Sequence, residues 1–167
     1  MSDQPYHGPA PWPGQLAELD AAHPARRAVE IAAAGAHHLA LIGDGPGRLP
    51  ARRLHSLLPD LDPGTAAQLE RSGLPPVDPA HRRPPWQTLH PTRASGDAAA
   101  REWCRQANTL LGGRHHPGAA ALAHRGVLYC EDFADLAYHT VNALVAILQD
   151  RRVLLRGARW QVDRLLD

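Results

Sequence analysis

Apolar and polar positions along this chain switch between a helical and an extended period, and the switches divide it into short elements. A helix is predicted from Pro24 to Ala34: proline suits a first helical turn, Asp20 lies just upstream, and Gly35 supplies a stop. The apolar run His38-Leu39-Ala40-Leu41-Ile42, bounded by glycines, predicts a buried strand. The loop Gly43-Asp44-Gly45-Pro46-Gly47 follows, and then a helix over roughly Pro50 to Leu58. Prolines interrupt residues 59–97, which keep one short helical piece near Gly64 to Arg71. Ala, Arg, Glu, Trp and Leu content predicts a helix over Asp97–Leu111, closed by Gly112-Gly113. A second buried strand is predicted over Gly126–Cys130, with Glu131-Asp132 at its carboxyl end. Leu136, His139/Thr140, Ala143/Leu144 and Ile147/Leu148 recur at the spacing of an amphipathic helix. The tail Val153–Val162 reads as a hairpin turning at Gly157-Ala158. Strand, glycine loop, helix and a strand ending in carboxylates form the plan of a nucleotide-binding α/β domain.

Residues 1–14 are rich in proline and glycine without periodicity and are expected to form a flexible lead-in, with residues 15–167 as one domain. At 167 residues, 44% hydrophobic and 21% charged, the chain is expected to be globular. Its net charge of +1 supplies no global field toward nucleic acid or an anionic membrane, which leaves only a local basic patch for such contacts. All 18 cationic side chains are arginine; there is no lysine. Two cysteines, Cys104 and Cys130, do not make a disulfide framework and read as buried, inert thiols. The apolar stretch Ala32–Ile42 is too short to span a bilayer, and no basic segment followed by an apolar one opens the chain. A soluble cytoplasmic protein without a membrane partner is the expectation.

Four blocks in sequence carry a family resemblance: HPARRAVEIAAAGAHHLALIGDGPG (23–47), ARRLHSLLPDL (51–61), RRPPWQTLHPT (82–92) and PGAAALAHRGVLYCEDFADL (117–136). They resemble, in order, the helix, strand and phosphate loop, the helix after it, a segment from paired arginines to a histidine pair, and the Walker B strand of the magnesium-chelatase subunit I family. That family of AAA+ ATPases includes the competence-associated branch-migration helicases. The resemblance implies an α/β fold, an incomplete AAA+/P-loop-like three-layer sandwich with a mostly parallel sheet of order 5-1-4-3-2. It covers the front half of the family's module. The sensor strand, arginine finger and helical lid cannot be placed on this chain, which is expected to end as strand four begins. Strands one and three are then expected to pair directly or to leave edge groups open to a partner.

A phosphate loop requires G-x-x-x-x-G-K-[ST]: backbone N–H groups cradle phosphate, lysine reaches the β- and γ-phosphates, and the hydroxyl holds magnesium. Only three residues separate Gly43 from Gly47 here; Arg48 stands at the lysine position and Leu49 at the hydroxyl. Pro46 and Pro50 have no N–H to offer an anion, and Asp44 adds negative charge beside it. Gly43, Gly45, Gly47 and Arg48 are thus the residues of a degenerate phosphate loop, where guanidinium and helix terminus could still hold an anion. At the Walker B end the resemblance implies aspartate then glutamate, whereas the chain carries Glu131 then Asp132. That exchange shifts each carboxylate by about 1 Å, a misplacement that costs roughly a hundredfold. Glu131 and Asp132 read either as a solvated acidic pair or as ligands of a divalent ion.

His37/His38 and His115/His116 do not converge as adjacent residues, so no metal site is assigned. Trp86 and Trp103 read as packing residues or as ligand stackers, and Arg82/Arg83 and Arg151/Arg152 as solvated ends or phosphate contacts. The leading expectation is a non-hydrolysing pseudo-ATPase acting as a scaffold or regulatory module, with a protein partner or a homo-oligomer. ATP with magnesium enters only as vestigial binding, and nucleic acid as a weaker partner. One alternative is an enzyme of another reaction that reuses the cleft, with Glu131, Asp132, Arg48 and His90 as acid, base and anion anchors. Another is a nucleotide-binding accessory to an intact ATPase.

Overall fold

The computed structural model describes residues 24–42, 48–72, 74, 82–91, 99–113, 116–150, 152–153 and 162–163. The chain divides after Leu58 into two compact units. The lead-in over 1–14 and the glycine loop over 43–47 lie outside the described residues.

The N-terminal unit pairs two helices, α1 (Pro24–Gly35) and α2 (Arg48–Leu57). Val29 and Ala32, one turn apart on α1, are its buried apolar positions, and Arg53 of α2 is buried as well. Glu30 is held below the usual carboxylate range by its hydrogen bond from Arg26 Nε at 3.1 Å, one turn away on α1. Helix α1 ends where Ala36 turns left-handed at φ 50° and His37 N–H bonds back to Ala32 C=O at 2.9 Å. The next residues correct the strand expected over 38–42: they take no regular structure, and Ile42 is 99% exposed. An apolar run becomes a strand only when another strand satisfies its N–H and C=O groups, and none does so among the described residues.

The C-terminal unit carries the sheet. Helix α3 (Pro63–Arg71) starts on Asp62, whose carboxylate accepts from the N–H groups of Gly64 and Thr65 at 2.9 and 3.0 Å and from the Thr65 hydroxyl at 2.6 Å. Those bonds, the Thr65 hydroxyl first, hold the Asp62 carboxyl below its ordinary value of 3.8. A depressed pKa stabilises the fold above that value and ceases to do so as pH falls through the lower folded value. Replacing Asp62 with alanine should therefore flatten the acid limb of thermal stability measured by circular dichroism, and an unchanged limb would contradict this account of the cap.

Strand β1 (Trp86–Leu89) lies inside the proline-interrupted region and was not predicted. It pairs in parallel with β2 (Val127–Cys130), Trp86 opposite Val127 and Leu89 opposite Cys130. The strand expected before the acidic pair is therefore present and has β1 along one edge. A parallel neighbour along one edge is what the order 5-1-4-3-2 assigns to strands two and three. Helices α4 (Ala99–Leu111), α5 (Ala119–Leu122) and α6 (Tyr138–Asp150) complete the unit. Leu69, Leu89, Leu110, Leu136 and Ile147 make its core, with Leu128 and Cys130 packed against it. This is a small α/β fold with a short, open parallel sheet, consistent with part of an AAA+/P-loop-like fold.

Two glycine positions explain the block PGAAALAHRGVLYC. Gly112 ends α4 at φ +91° and forms an antiparallel bridge with Pro117, so close that a Cβ on Gly118 would strike the Gly112 backbone. A Cβ on Gly126 would strike the Pro85 carbonyl, which accepts from Val127 N–H at 2.8 Å and starts the ladder. Beyond the sheet, β3 (Arg152–Val153) and β4 (Val162–Asp163) pair antiparallel with Val153 opposite Val162. That register matches a hairpin centred on Gly157-Ala158; the turn itself lies outside the described residues.

Candidate functional site

Parallel pairing brings two chemically active side chains to the same end of the sheet. The register runs on one step from Leu89 opposite Cys130, so His90 and Glu131 stand side by side just beyond the carboxyl ends of β1 and β2. Glu131 N–H donates to Leu89 C=O at 3.0 Å and holds the second strand in place. His90 Nδ1 lies 2.9 Å from Glu131 Oε2; the Glu131 side chain is 11% exposed and that of His90 is 64% exposed. An ionised carboxylate can only accept, so with Glu131 ionised the Nδ1–H donates, and in the neutral tautomer of that imidazole the lone pair sits on Nε2. The carboxyl ends of parallel strands are where α/β folds place ligands.

Asp132 parts company with its neighbour. It adopts a left-handed conformation, φ 45° and ψ 55°, before a short 3-10 turn over Phe133–Asp135, and it is exposed. Aspartate tolerates that region better than most residues. The acidic pair thus divides into a buried carboxylate bonded to His90 and an exposed one in a left-handed turn.

Gln106, which the sequence reading passed over, braces this end of the sheet. It is buried on α4; its Nε2 donates to the His90 carbonyl at 3.3 Å, and its Oε1 accepts from Ala137 N–H at 2.8 Å and from the Thr140 hydroxyl at 3.0 Å. One side chain therefore fastens the exit of β1 to the first turn of α6. The signal was present in the sequence: a polar residue four positions before Leu110 on the inward stripe of α4.

On the face of the sheet that carries His90, Trp86 stacks on Tyr129 with ring centroids 5.6 Å apart and planes at 26°. The Trp86 indole donates to the Thr88 hydroxyl at 3.0 Å. Trp86 is thereby a packing residue, while Trp103 on α4 is 43% exposed. Arg48 is the first residue of α2 in the other unit, followed in the same turn by Leu49 and Pro50, while Gly43, Gly45 and Gly47 lie outside the described residues. His37, His38 and His116 are exposed. Among the described residues no group of three or more His, Cys, Asp or Glu side chains could hold a metal ion, and no helix is long and apolar enough to cross a membrane.

Cys104 is exposed, which corrects its reading as a buried thiol; Cys130 is half-buried, and burial raises its pKa from 9.0 to about 11. The thiolate is the reactive form, so iodoacetamide at neutral pH should alkylate Cys104 more than about tenfold faster than Cys130. Equal rates in peptide mass mapping would contradict this placement.

Residues 15–164 match the family model described as magnesium chelatase, subunit ChlI. An uncharacterized protein of Mycobacterium bovis is 37% identical over 150 residues, which span 84% of this chain and 27% of that protein. An uncharacterized protein of Mycobacterium tuberculosis shows the same identity and coverage. The uncharacterized protein YifB of Escherichia coli is 29% identical over 145 residues, 82% of this chain and 26% of that protein. The chain thus spans about a quarter of the length of these relatives. No solved structure matches it.

Proposed function

The chain belongs to the magnesium chelatase, subunit ChlI, family, and from that membership we propose that it is a non-hydrolysing, AAA+-like pseudo-ATPase that acts as a scaffold or regulatory module through contacts with other proteins. The observation that carries this reading is the composition of the residues that should grip a triphosphate. The interval from Gly43 to Gly47 is one residue short, and Arg48, Leu49 and Pro50 open α2 where lysine, a hydroxyl and a free N–H are needed. No lysine exists anywhere in the chain to substitute.

The acidic end supports the same reading. Glu131 stands where the family's magnesium carboxylate would, and its Oε2 is bonded to His90, while Asp132 faces solvent in a left-handed turn. Lengthening one acid and shortening the other displaces both from the geometry that in-line attack by water demands. Phosphate release from ATP with magnesium, followed colorimetrically, should stay at the buffer rate. Turnover of about 1 per second or faster, as in kinases, would refute the proposal.

One observation favours a second reading, an enzyme of a different reaction. A carboxylate-oriented, exposed imidazole is a usable general base in its neutral form. Under that reading His90→Gln and Glu131→Gln would abolish a shared activity; under the first they leave partner binding intact.

A further inference from the structure

One loop is anchored at both ends on His90. At its start, Glu131 Oε2 lies 2.9 Å from His90 Nδ1, and Glu131 N–H donates to Leu89 C=O at 3.0 Å. At its end, Ala137 N–H donates to Gln106 Oε1 at 2.8 Å, and Nε2 of the same amide donates to the His90 carbonyl at 3.3 Å. Between these anchors runs the 3-10 turn over Phe133–Asp135. Phe133 is 51% exposed and the His90 side chain 64% exposed. The imidazole is thus held through its backbone and through one ring nitrogen, on a frame that also brings an aromatic side chain to the surface.

That grip orients the ring for attack by its other nitrogen. With Glu131 ionised and the imidazole neutral, the proton sits on Nδ1 and the lone pair on Nε2. A carboxylate bonded to Nδ1–H fixes the orientation of the ring and offsets the positive charge that grows on it as Nε2 forms a bond. Histidine is one of the side chains that form covalent intermediates and so split one difficult step into two easier ones.

We propose that His90 is a nucleophilic acyl-transfer site for uncharged, activated carboxylic esters, with Glu131 as its positioning residue and Phe133 as the contact for an apolar acyl or aryl group. Nε2 gives its lone pair to the ester carbonyl carbon, and the bond from that carbon to the leaving oxygen breaks, its pair departing with the oxygen. Glu131 holds the Nδ1 proton of the acylimidazolium. Water then attacks the same carbon, and the bond to Nε2 breaks and returns its pair to the ring. The proton that water gives up balances the leaving oxyanion, so ester and water become acid and alcohol, with nothing oxidised or reduced. An acylated imidazole reacts with water, which frees the ring for another cycle. The assignment rests on the second reading above, an enzyme of a different reaction, and names its substrate class.

Two probes of the full chain at neutral pH test it. Diethyl pyrocarbonate should carbethoxylate His90 roughly tenfold faster than His37, His38, His116 and His139, which are exposed as well; peptide mass mapping reads the rates. Hydrolysis of p-nitrophenyl acetate should fall to about a tenth or less in His90→Gln and in Glu131→Gln and stay unchanged in His116→Gln. Long-range nitrogen–proton spectra should show the His90 proton on Nδ1, and Glu131→Gln should lose that signature while the fold is kept. Should a variant fail to fold, the carbethoxylation rates of the unaltered chain decide. His90 no faster than the reference histidines overturns the proposal and, with it, the enzyme reading of this pair. Fast carbethoxylation without ester turnover, or turnover indifferent to His90→Gln, overturns the ester assignment and leaves that reading standing.

Discussion

Replacing Gln106 with leucine should lower the stability of the C-terminal unit by about 3–5 kcal/mol, although the two side chains are nearly equal in size. Shape is conserved, so the loss measures hydrogen bonding. Leucine leaves the His90 carbonyl, the Ala137 N–H and the Thr140 hydroxyl without the partner each now has in Gln106. The Thr140 hydroxyl is buried and the other two groups are part-buried, and stranding such groups costs from about 1 kcal/mol up to about 3 kcal/mol where water is excluded. Thr140→Val removes one of these bonds from the hydroxyl side and should cost about 1 kcal/mol. Urea unfolding followed by circular dichroism compares them. A Gln106→Leu loss below that of Thr140→Val would show that the brace contributes nothing beyond its volume.

The second large effect lies one turn further along α4. Leu110 is fully buried, at 0% exposure, in the cluster with Leu89, Leu136 and Ile147. Leu110→Ala should destabilise the unit by about 3–5 kcal/mol, the lost transfer energy of the side chain plus the cavity it leaves. Val145→Ala on α6, 43% exposed, provides the contrast and should stay within about 0.5 kcal/mol. Comparable losses in the same unfolding experiment would mean that the core is centred elsewhere.

What could be read from the sequence follows from how local each signal is. Helix limits were legible because their chemistry is in the chain itself: Pro24 before Gly35 on α1, and Gly112 at φ +91° closing α4. Strands depend on partners far away. WQTL, set between Pro85 and Pro91, offers no alternation to betray it, and it becomes β1 only because residues 127–130 supply its ladder. The run over 38–42 has the better strand composition and finds no ladder among the described residues. Composition argued for the wrong segment; pairing decided.

The candidate site divides in the same way. His90, Glu131 and Asp132 were each legible by type and position, but their arrangement was not. Register placed His90 within 2.9 Å of Glu131, and a left-handed turn sent Asp132 to solvent. Gln106 was missed because a polar residue on an inward stripe reads as an imperfection until its three partners are known.

Loss of nucleotide chemistry is the central claim, and calorimetric titration of the chain with ATP and magnesium tests it most directly. Little or no heat below a dissociation constant of about 1 mM is expected, near −4 kcal/mol or weaker, since Arg48 and a shortened backbone cradle remain to attract a triphosphate. A constant near 1 μM, with affinity dependent on magnesium, would contradict the account.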